Sequence, residues 1–334
     1  MGTRTADIWK ATSDALLGKP ELRGSEVTAQ AGVPAIVTSR FWQALGFPTV
    51  PGDEPAFTKR DVEIMAFAAR LIDGDSGPDR ELLLRMARAT GQSLSRIAHM
   101  HVLSIVGELE TAARSSELSN SEAADRIADL AESLVRSHEP FLGFIWRRHL
   151  LAAISQIVAN AIDNGGENEG TTIGFADVVD FTAVSQQLSE EELAEFVDHF
   201  EKIAYQEIPE RGGRVIKTLG DEVMFSNASP HAAAETALAL AEAFQADDLL
   251  PHVRVGLATG SMLAWEGDLY GPTVNLAHRL VSVARPGTVI VSDDLAERLD
   301  GDDAFALVEI RDVKLKGIGR TKPWVLRRRG ATKS

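Results

Sequence analysis

Through most of the first half of the chain, apolar residues recur three and four positions apart. Leu82, Leu83, Met86 and Ala87 are followed by Leu94, Ile97, Ala98, Val102 and Ile105, the period of helices buried along one stripe. This pattern predicts helix over almost all of Ile8–Ile162. Pro78 is predicted to open one helix after a turn at Asp73–Gly77, and Ser119 with Glu122 forms a capping-box signature for another. The most apolar stretch, Phe141–Ile162, is interrupted by Arg147, Arg148 and His149. A membrane span needs roughly 20 mostly apolar residues, so this stretch reads as a buried interdomain helix.

Beyond Ile162 the pattern changes. Residues 163–170, Asp-Asn-Gly-Gly-Glu-Asn-Glu-Gly, have linker composition. Thr171–Val178 then reads as a buried strand. Ser189 and Glu192 cap a helix running to about Glu210. Gly212–Asn227 reads as a hairpin closed by a tight Leu-Gly-Asp turn. A helix over Pro230–Ala246, a strand over Val253–Thr259, a short strand near Met262 and a helix over Thr273–Ala284 follow. Short strand–helix–strand pieces close the chain. This order predicts an α+β, ferredoxin-like domain with its helices on one face, preceded by an all-α domain. The boundaries expected are 1–162, a linker at 163–170, and 171–334.

Composition narrows the picture. At 334 residues two domains are the first expectation. A net charge of −15 argues against wholesale binding of nucleic acid or an anionic membrane, though not against one nucleotide neutralised locally by a metal ion. The absence of cysteine removes thiolate ligands and disulfides and fits a reducing cytoplasm. Met1–Asp14 lacks an apolar signal core. A soluble, cytoplasmic protein without a transmembrane segment is expected.

Three segments carry candidate chemistry. Asp177 is read as lying just past a strand and Asp221 at the hairpin tip. Neighbouring strands would let the two carboxylates converge, as a Mg²⁺ site shared with substrate phosphates requires. Each aspartate alone is equally at home as turn or cap chemistry. Asn275 and Arg279 lie four apart on one helix face. There an arginine could stabilise phosphoryl charge and an amide orient a sugar, or both could be solvated surface. Lys217 precedes Asp221 by four and shares a face with Leu219 if the strand is regular.

In order and spacing these segments resemble the class III nucleotidyl cyclases, over about Thr171 to Arg328. Phe-Ala-Asp-Val-Val-Asp-Phe-Thr (175–182) is similar to the family's first metal segment. The resemblance implies Asp177 as a metal ligand and Phe181 and Thr182 as the turn whose backbone cradles a triphosphate. Lys-Thr-Leu-Gly-Asp-Glu-Val-Met (217–224) is similar to the second, implying Asp221 as the other ligand and Lys217 as a base-selecting lysine. Asp268 matches the second base-selecting position. Lysine with aspartate implies adenine, where guanylate cyclases typically carry glutamate and cysteine. Thr-Val-Asn-Leu-Ala-His-Arg (273–279) implies Asn275 on the ribose and Arg279 on the α-phosphate. Asp-Val-Lys-Leu-Lys-Gly (312–317) implies a phosphate-binding lysine, Lys314 first, with Lys316 competing. The implied activity is an adenylate cyclase making cyclic AMP and pyrophosphate from ATP, with two Mg²⁺ or Mn²⁺ ions per site. Each site would be shared across a homodimer, the aspartates from one subunit and Lys217, Asp268, Asn275 and Arg279 from its partner. Gly260 to Asp268 is short beside many relatives, which implies the short-arm branch. Pro272 replaces a more usual polar residue and His278 a small one. A Gly-Gly-Asp-Glu diguanylate cyclase turn is the rival enzyme reading, but the second glycine is missing from Leu-Gly-Asp-Glu.

In the first half, Glu26–Pro48 reads as helix, turn at Gly32, helix, and with Phe57–Met65 it resembles the winged-helix start of MerR-like regulators. Its second helix, Ala35–Leu45, carries Arg40 as its only cation, too little to grip phosphates. The layout is similar to actinobacterial cyclases whose helical N-terminal domain inhibits the catalytic half and responds to pH, or in some cases binds lipid. A proton or lipid effector is therefore expected, with His99, His101, His138 and His149 as candidate titrating groups. The reading from another class is a DNA-binding regulator with an inactive nucleotide-sensing domain.

Overall fold

The computed structural model describes residues 3–48, 54–73, 80–115, 117–163, 171–247 and 250–330. The chain divides into two compact units, residues 1–156 and 157–334. The expected linker falls almost wholly outside the described residues, as does Pro78.

The first unit is helical: α1 (Thr3–Leu17), α2 (Gly24–Ala31), α3 (Ala35–Ala44), α4 (Lys59–Asp73), α5 (Arg80–Leu103), α6 (Val106–Arg114) and α7 (Asn120–Asp163). The Ser119–Glu122 capping box forms: Ser119 N donates to Glu122 Oε2 at 2.8 Å and Glu122 N to Ser119 Oγ at 3.3 Å. The Arg4 guanidinium donates to the Ala112, Ser115 and Leu118 carbonyls, tying α1 to the α6–α7 connection. Within α7, Phe141, Phe144, Trp146, Leu150, Leu151 and Ile154 are all exposed. The stretch from Phe141 is helical as predicted, but the expected burial does not hold. Its apolar residues surround the helix rather than forming one stripe, so one neighbour could not cover them. Among the described residues no helix is long and apolar enough to cross a membrane.

The second unit runs β1 (Thr171–Val178), α8 (Phe181–Ser185), α9 (Glu190–Glu210), β2 (Arg214–Leu219), β3 (Glu222–Asn227), α10 (Pro230–Ala246), β4 (Val253–Gly260), β5 (Leu263–Trp265), β6 (Asp268–Tyr270), α11 (Pro272–Val281), β7 (Val289–Val291), α12 (Asp293–Leu299), β8 (Phe305–Glu309), β9 (Val313–Leu315), β10 (Gly319–Thr321) and β11 (Trp324–Arg328). Seven strands form one sheet in the order β2-β3-β1-β4-β7-β11-β8. In its first four strands β1 pairs antiparallel with both β3 and β4, the ferredoxin-like arrangement that the element order predicted. Ser189 caps α9 through the predicted box, and β1 and α10 keep their predicted limits.

Side-chain alternation divides the sheet. On one face Ala176, Val178, Val223, Phe225, Val255 and Leu257 pack with Phe200 of α9 and Leu240 and Phe244 of α10. Each such large side chain contributes about 1.5–3 kcal/mol on burial. On the other face Ile173, Phe175, Met224 and Ala258 pack with Ala277 and Val281 of α11. The expectation of helices on one face is thus corrected, because α11 lies on the opposite side. Gly256 makes room for it. A Cβ there would stand 2.4 Å from the Ala277 carbonyl oxygen and 2.7 Å from the Val281 nitrogen.

Candidate active site

The alternation that buries Ile173 and Phe175 under α11 also sends Asp177 to that face. Asp177 lies within β1, opposite Glu222 of β3 and Arg254 of β4, so all three side chains share a side. Gly220 and Asp221 form a two-residue turn between β2 and β3, with Leu219 paired to Glu222. Gly220 has φ 68°, the positive angle that this hairpin demands of its first central residue. The Val178 N–H donates to the Asp221 carbonyl at 3.1 Å, fastening the turn to the end of β1.

Asp177 and Asp221 therefore line one cleft of about 460 Å³, with Phe181, Thr182 and Arg254. Arg254 Nη2 donates to Asp177 Oδ2 at 2.5 Å, while Arg254 Nε is buried without a hydrogen-bond partner. Sequence reading missed Arg254. Its signal was a lone cation inside the apolar run Val253–Ala258, but only the β1–β4 register shows what it faces. Asp180, φ 57°, turns the chain into α8, whose first N–H groups have no acceptor within the helix. Burial, then the Asp177 charge, raises the Asp221 pKa against its own backbone hydrogen bond and Arg254. Burial, then Asp177 and Asp221, pushes Glu222 up to about 7, with Lys217 pulling the other way. Two carboxylates short of positive charge, beside a buried guanidinium nitrogen that lacks an acceptor, fit a divalent ion arriving with a polyphosphate. Among the described residues no group of three or more potential ligands forms a closed metal site. Two carboxylates completed by substrate oxygens suit Mg²⁺ or Mn²⁺.

A second cleft, of about 730 Å³, is lined by Asn275, His278, Arg279, Asp294 and Lys316, among others. It shares no lining residue with the first. Pro272 occupies the first turn of α11, where its fixed φ suits the helix. Thr273, Ala277, Leu280 and Val281 are buried, leaving Asn275 and Arg279 exposed one turn apart. Lys316, in the turn after β9, lines this cleft; Lys314, on β9 itself, does not.

Lys217 and Asp268 meet. Lys217 Nζ donates to Asp268 Oδ2 at 2.5 Å, and the Leu269 N–H donates to Oδ1 at 2.8 Å. Burial pulls the Asp268 pKa upward, but Lys217, the Leu269 N–H and Tyr270 together bring it below the ordinary value. The Lys217 strand is not fully regular: the β2–β3 register shifts between Val215 and Lys217. The short arm after Gly260 is the β5–β6 hairpin, whose turn residues Glu266 and Gly267 both have positive φ. It ends at Asp268.

Both clefts lie in the ferredoxin-like unit, and residues 166–328 match the family of the adenylate and guanylate cyclase catalytic domain. The chain is 32% identical over 323 residues to the adenylate cyclase of Glutamicibacter nicotianae, covering 92% of this chain and 79% of that protein. It is 32% identical over 330 residues to the adenylate cyclase of Streptomyces coelicolor, covering 91% and 85%. It is 29% identical over 324 residues to a pH-sensitive adenylate cyclase of Mycobacterium tuberculosis, covering 92% and 78%. The chain belongs to the class III nucleotidyl cyclases.

Proposed function

We propose that this chain is an adenylate cyclase whose homodimer carries two composite sites, each built from the aspartate cleft of one subunit and the Asn275–Arg279 cleft of the other. The observation carrying this reading is that one chain holds both sets of groups in clefts with no common lining residue. Two-fold symmetry would supply each set with its complement twice. In the reaction the ribose 3′-oxygen bonds to the α-phosphorus, the bond to the β-phosphate oxygen breaks, pyrophosphate leaves, and the hydroxyl proton passes to solvent. Divalent ions held by Asp177 and Asp221 would make the hydroxyl more acidic and offset triphosphate charge. Asn275 orients the ribose, and Arg279 offsets charge growing on the α-phosphoryl oxygens. The Phe181–Thr182 backbone receives the triphosphate, with Lys316 preferred to Lys314 as its lysine. Arg254, whose buried Nε has no acceptor, is placed to donate to a phosphate oxygen, and would be freer to do so where cations shared the Asp177 carboxylate. Lys217 donates to the adenine N1 and Asp268 accepts from its amino group.

We further propose that residues 1–162 regulate catalysis, with a proton or a lipid as effector. The observation that supports an effector there is the pairing of two histidines, His101 and His138, whose rings lie 4.0 Å apart within the helical unit. The central experiment is cyclic AMP formation from ATP with Mn²⁺ by the full chain and by Asp221→Ala. Product from the first and background from the second supports the reading. Equal output from both refutes it. Parallel pH profiles of the full chain and of a fragment starting near Gly165 would refute proton control.

A further inference from the structure

Between the two clefts of a single chain stands one side-chain contact that the reaction does not use. Glu222 opens β3 directly after Asp221 and pairs across the strands with Asp177. Its side chain is only 13% exposed, and its Oε1 lies 3.4 Å from His278 Nε2. His278 follows Asn275 by three residues and precedes Arg279. Its ring also stands edge-on to Phe175, with centroids 5.2 Å apart and planes at 75°. Phe175 is two residues before Asp177 on the same face of β1. His278 thus touches β1, which bears Asp177, through Phe175, and β3, which begins directly after Asp221, through Glu222.

Most of the contact between α11 and the sheet is apolar, Ala277 and Val281 lying on Ile173, Phe175, Met224 and Ala258 with the helix backbone close over Gly256. His278, 47% exposed at the border of this contact, adds a polar approach to Glu222. A shift of the Asp221 turn moves Glu222, Glu222 moves His278, and Arg279 is the next residue on the helix.

We infer that Glu222 and His278 are a positioning pair that couples the two clefts of each subunit, and through them the two composite sites of the dimer. The inference rests on the composite-site reading: one subunit's Asp221 and Arg279 then serve different sites, and this contact lies on the route between them. Substrate at one site reshapes the other.

Calorimetric titration of the full chain with α,β-methylene-ATP and Mg²⁺, alongside steady-state kinetics, tests it. The wild type should bind two analogue molecules per dimer with unequal affinities, differing by about fivefold or more. His278→Ala should bind at two equivalent sites, with kcat lowered about tenfold and KM within about twofold, because misaligned catalytic groups cost rate more than affinity. His278→Gln, which keeps a side-chain N–H donor, should restore most of kcat and the inequality. Glu222→Gln preserves shape and serves as the second probe should His278→Ala fail to fold. Independent, equal sites in the wild type overturn the coupling. So does His278→Ala with wild-type kcat and isotherm. A wild type that binds the analogue yet makes no cyclic AMP refutes the catalytic reading instead.

Discussion

The two clefts of the catalytic unit differ in how far each satisfies its own charge. In the aspartate cleft the groups answer one another: Arg254 bonds Asp177, and the turn around Asp221 is pinned by the Val178 N–H. Even so, burial first and the neighbouring carboxylates after it raise the pKa of both Asp221 and Glu222, so one arginine does not offset the cost of ionising them. The Asn275–Arg279 cleft has the opposite character. Among the described residues Arg279 forms no ion pair, and Lys316 opens into the same space. One region is organised around its own ion pair and still lacks cations; the other presents cations and an amide to open solvent. On the composite-site reading proposed above, neither is a finished site, and each lacks what the other, together with a metal nucleotide, would bring.

Genetic separation of the clefts should break the comparison most sharply. Asp221→Ala disables one cleft and Arg279→Ala the other, and each homodimer should lose about 10²-fold or more of cyclic AMP formation. Mixed and re-equilibrated in equal amounts, the two variants should recover about one quarter of wild-type activity. Half the dimers are then mixed, and in each of those one of the two composite sites is intact. Activity that stays at background after mixing, with heterodimers demonstrated by tagged pull-down, would mean that both clefts of a site come from one chain.

Arg254→Ala should come next. It removes the guanidinium that holds Asp177 and supplies the buried Nε donor. Initial rates over an ATP series should show kcat/KM reduced about 10–10²-fold, with KM rising, as expected when a charge-assisted phosphate contact is lost. An unchanged KM would leave Arg254 as a partner of Asp177 only. Smaller again is the effect expected at Lys217 and Asp268, the pair proposed to select the base. Lys217→Glu with Asp268→Cys should reduce use of ATP about tenfold or more and raise use of GTP, measured as the ratio of the two kcat/KM values. A ratio that does not move would dissociate the 2.5 Å ion pair from base choice.

What the sequence made legible follows from what is local in it. The Gly220–Asp221 turn, the Ser189–Glu192 cap and the run Thr171–Val178 are decided by neighbouring residues, and each lies where its pattern put it. Asp177 and Asp221 were legible for that reason, each at the edge of an unambiguous strand. Arg254 was not, because its meaning depends on β4 pairing with β1 across 77 residues. The side of the sheet taken by α11 was equally hidden. It depends on Gly256, a residue whose consequence is visible only once the helix backbone stands against it. The exposure of Phe141, Phe144 and Trp146 was misread from composition, since apolarity predicts the need for cover but not what provides it.

The finest test addresses the unrelieved negative charge of the aspartate cleft. Glu222 titrates at about 7 in the folded chain against an ordinary 4.5, chiefly because of burial and then because Asp177 and Asp221 stand beside it. Between those values the folded state holds a proton that the unfolded state has released. Stability therefore falls as pH rises through that window and levels off above about 7. Glutamine keeps the shape and cannot ionise, so Glu222→Gln should escape the loss. In EDTA, to keep divalent ions away, the variant and wild type should melt together below about pH 4.5. At pH 8 the variant should melt about 6–12 °C higher, the shift that the roughly 3 kcal/mol of a pKa moved from 4.5 to about 7 produces in a domain of this size. A gain of equal size at every pH would trace the effect to packing. A lower melting temperature at pH 8 would mean that the ionised carboxylate is held by His278 more strongly than the neighbouring aspartates repel it.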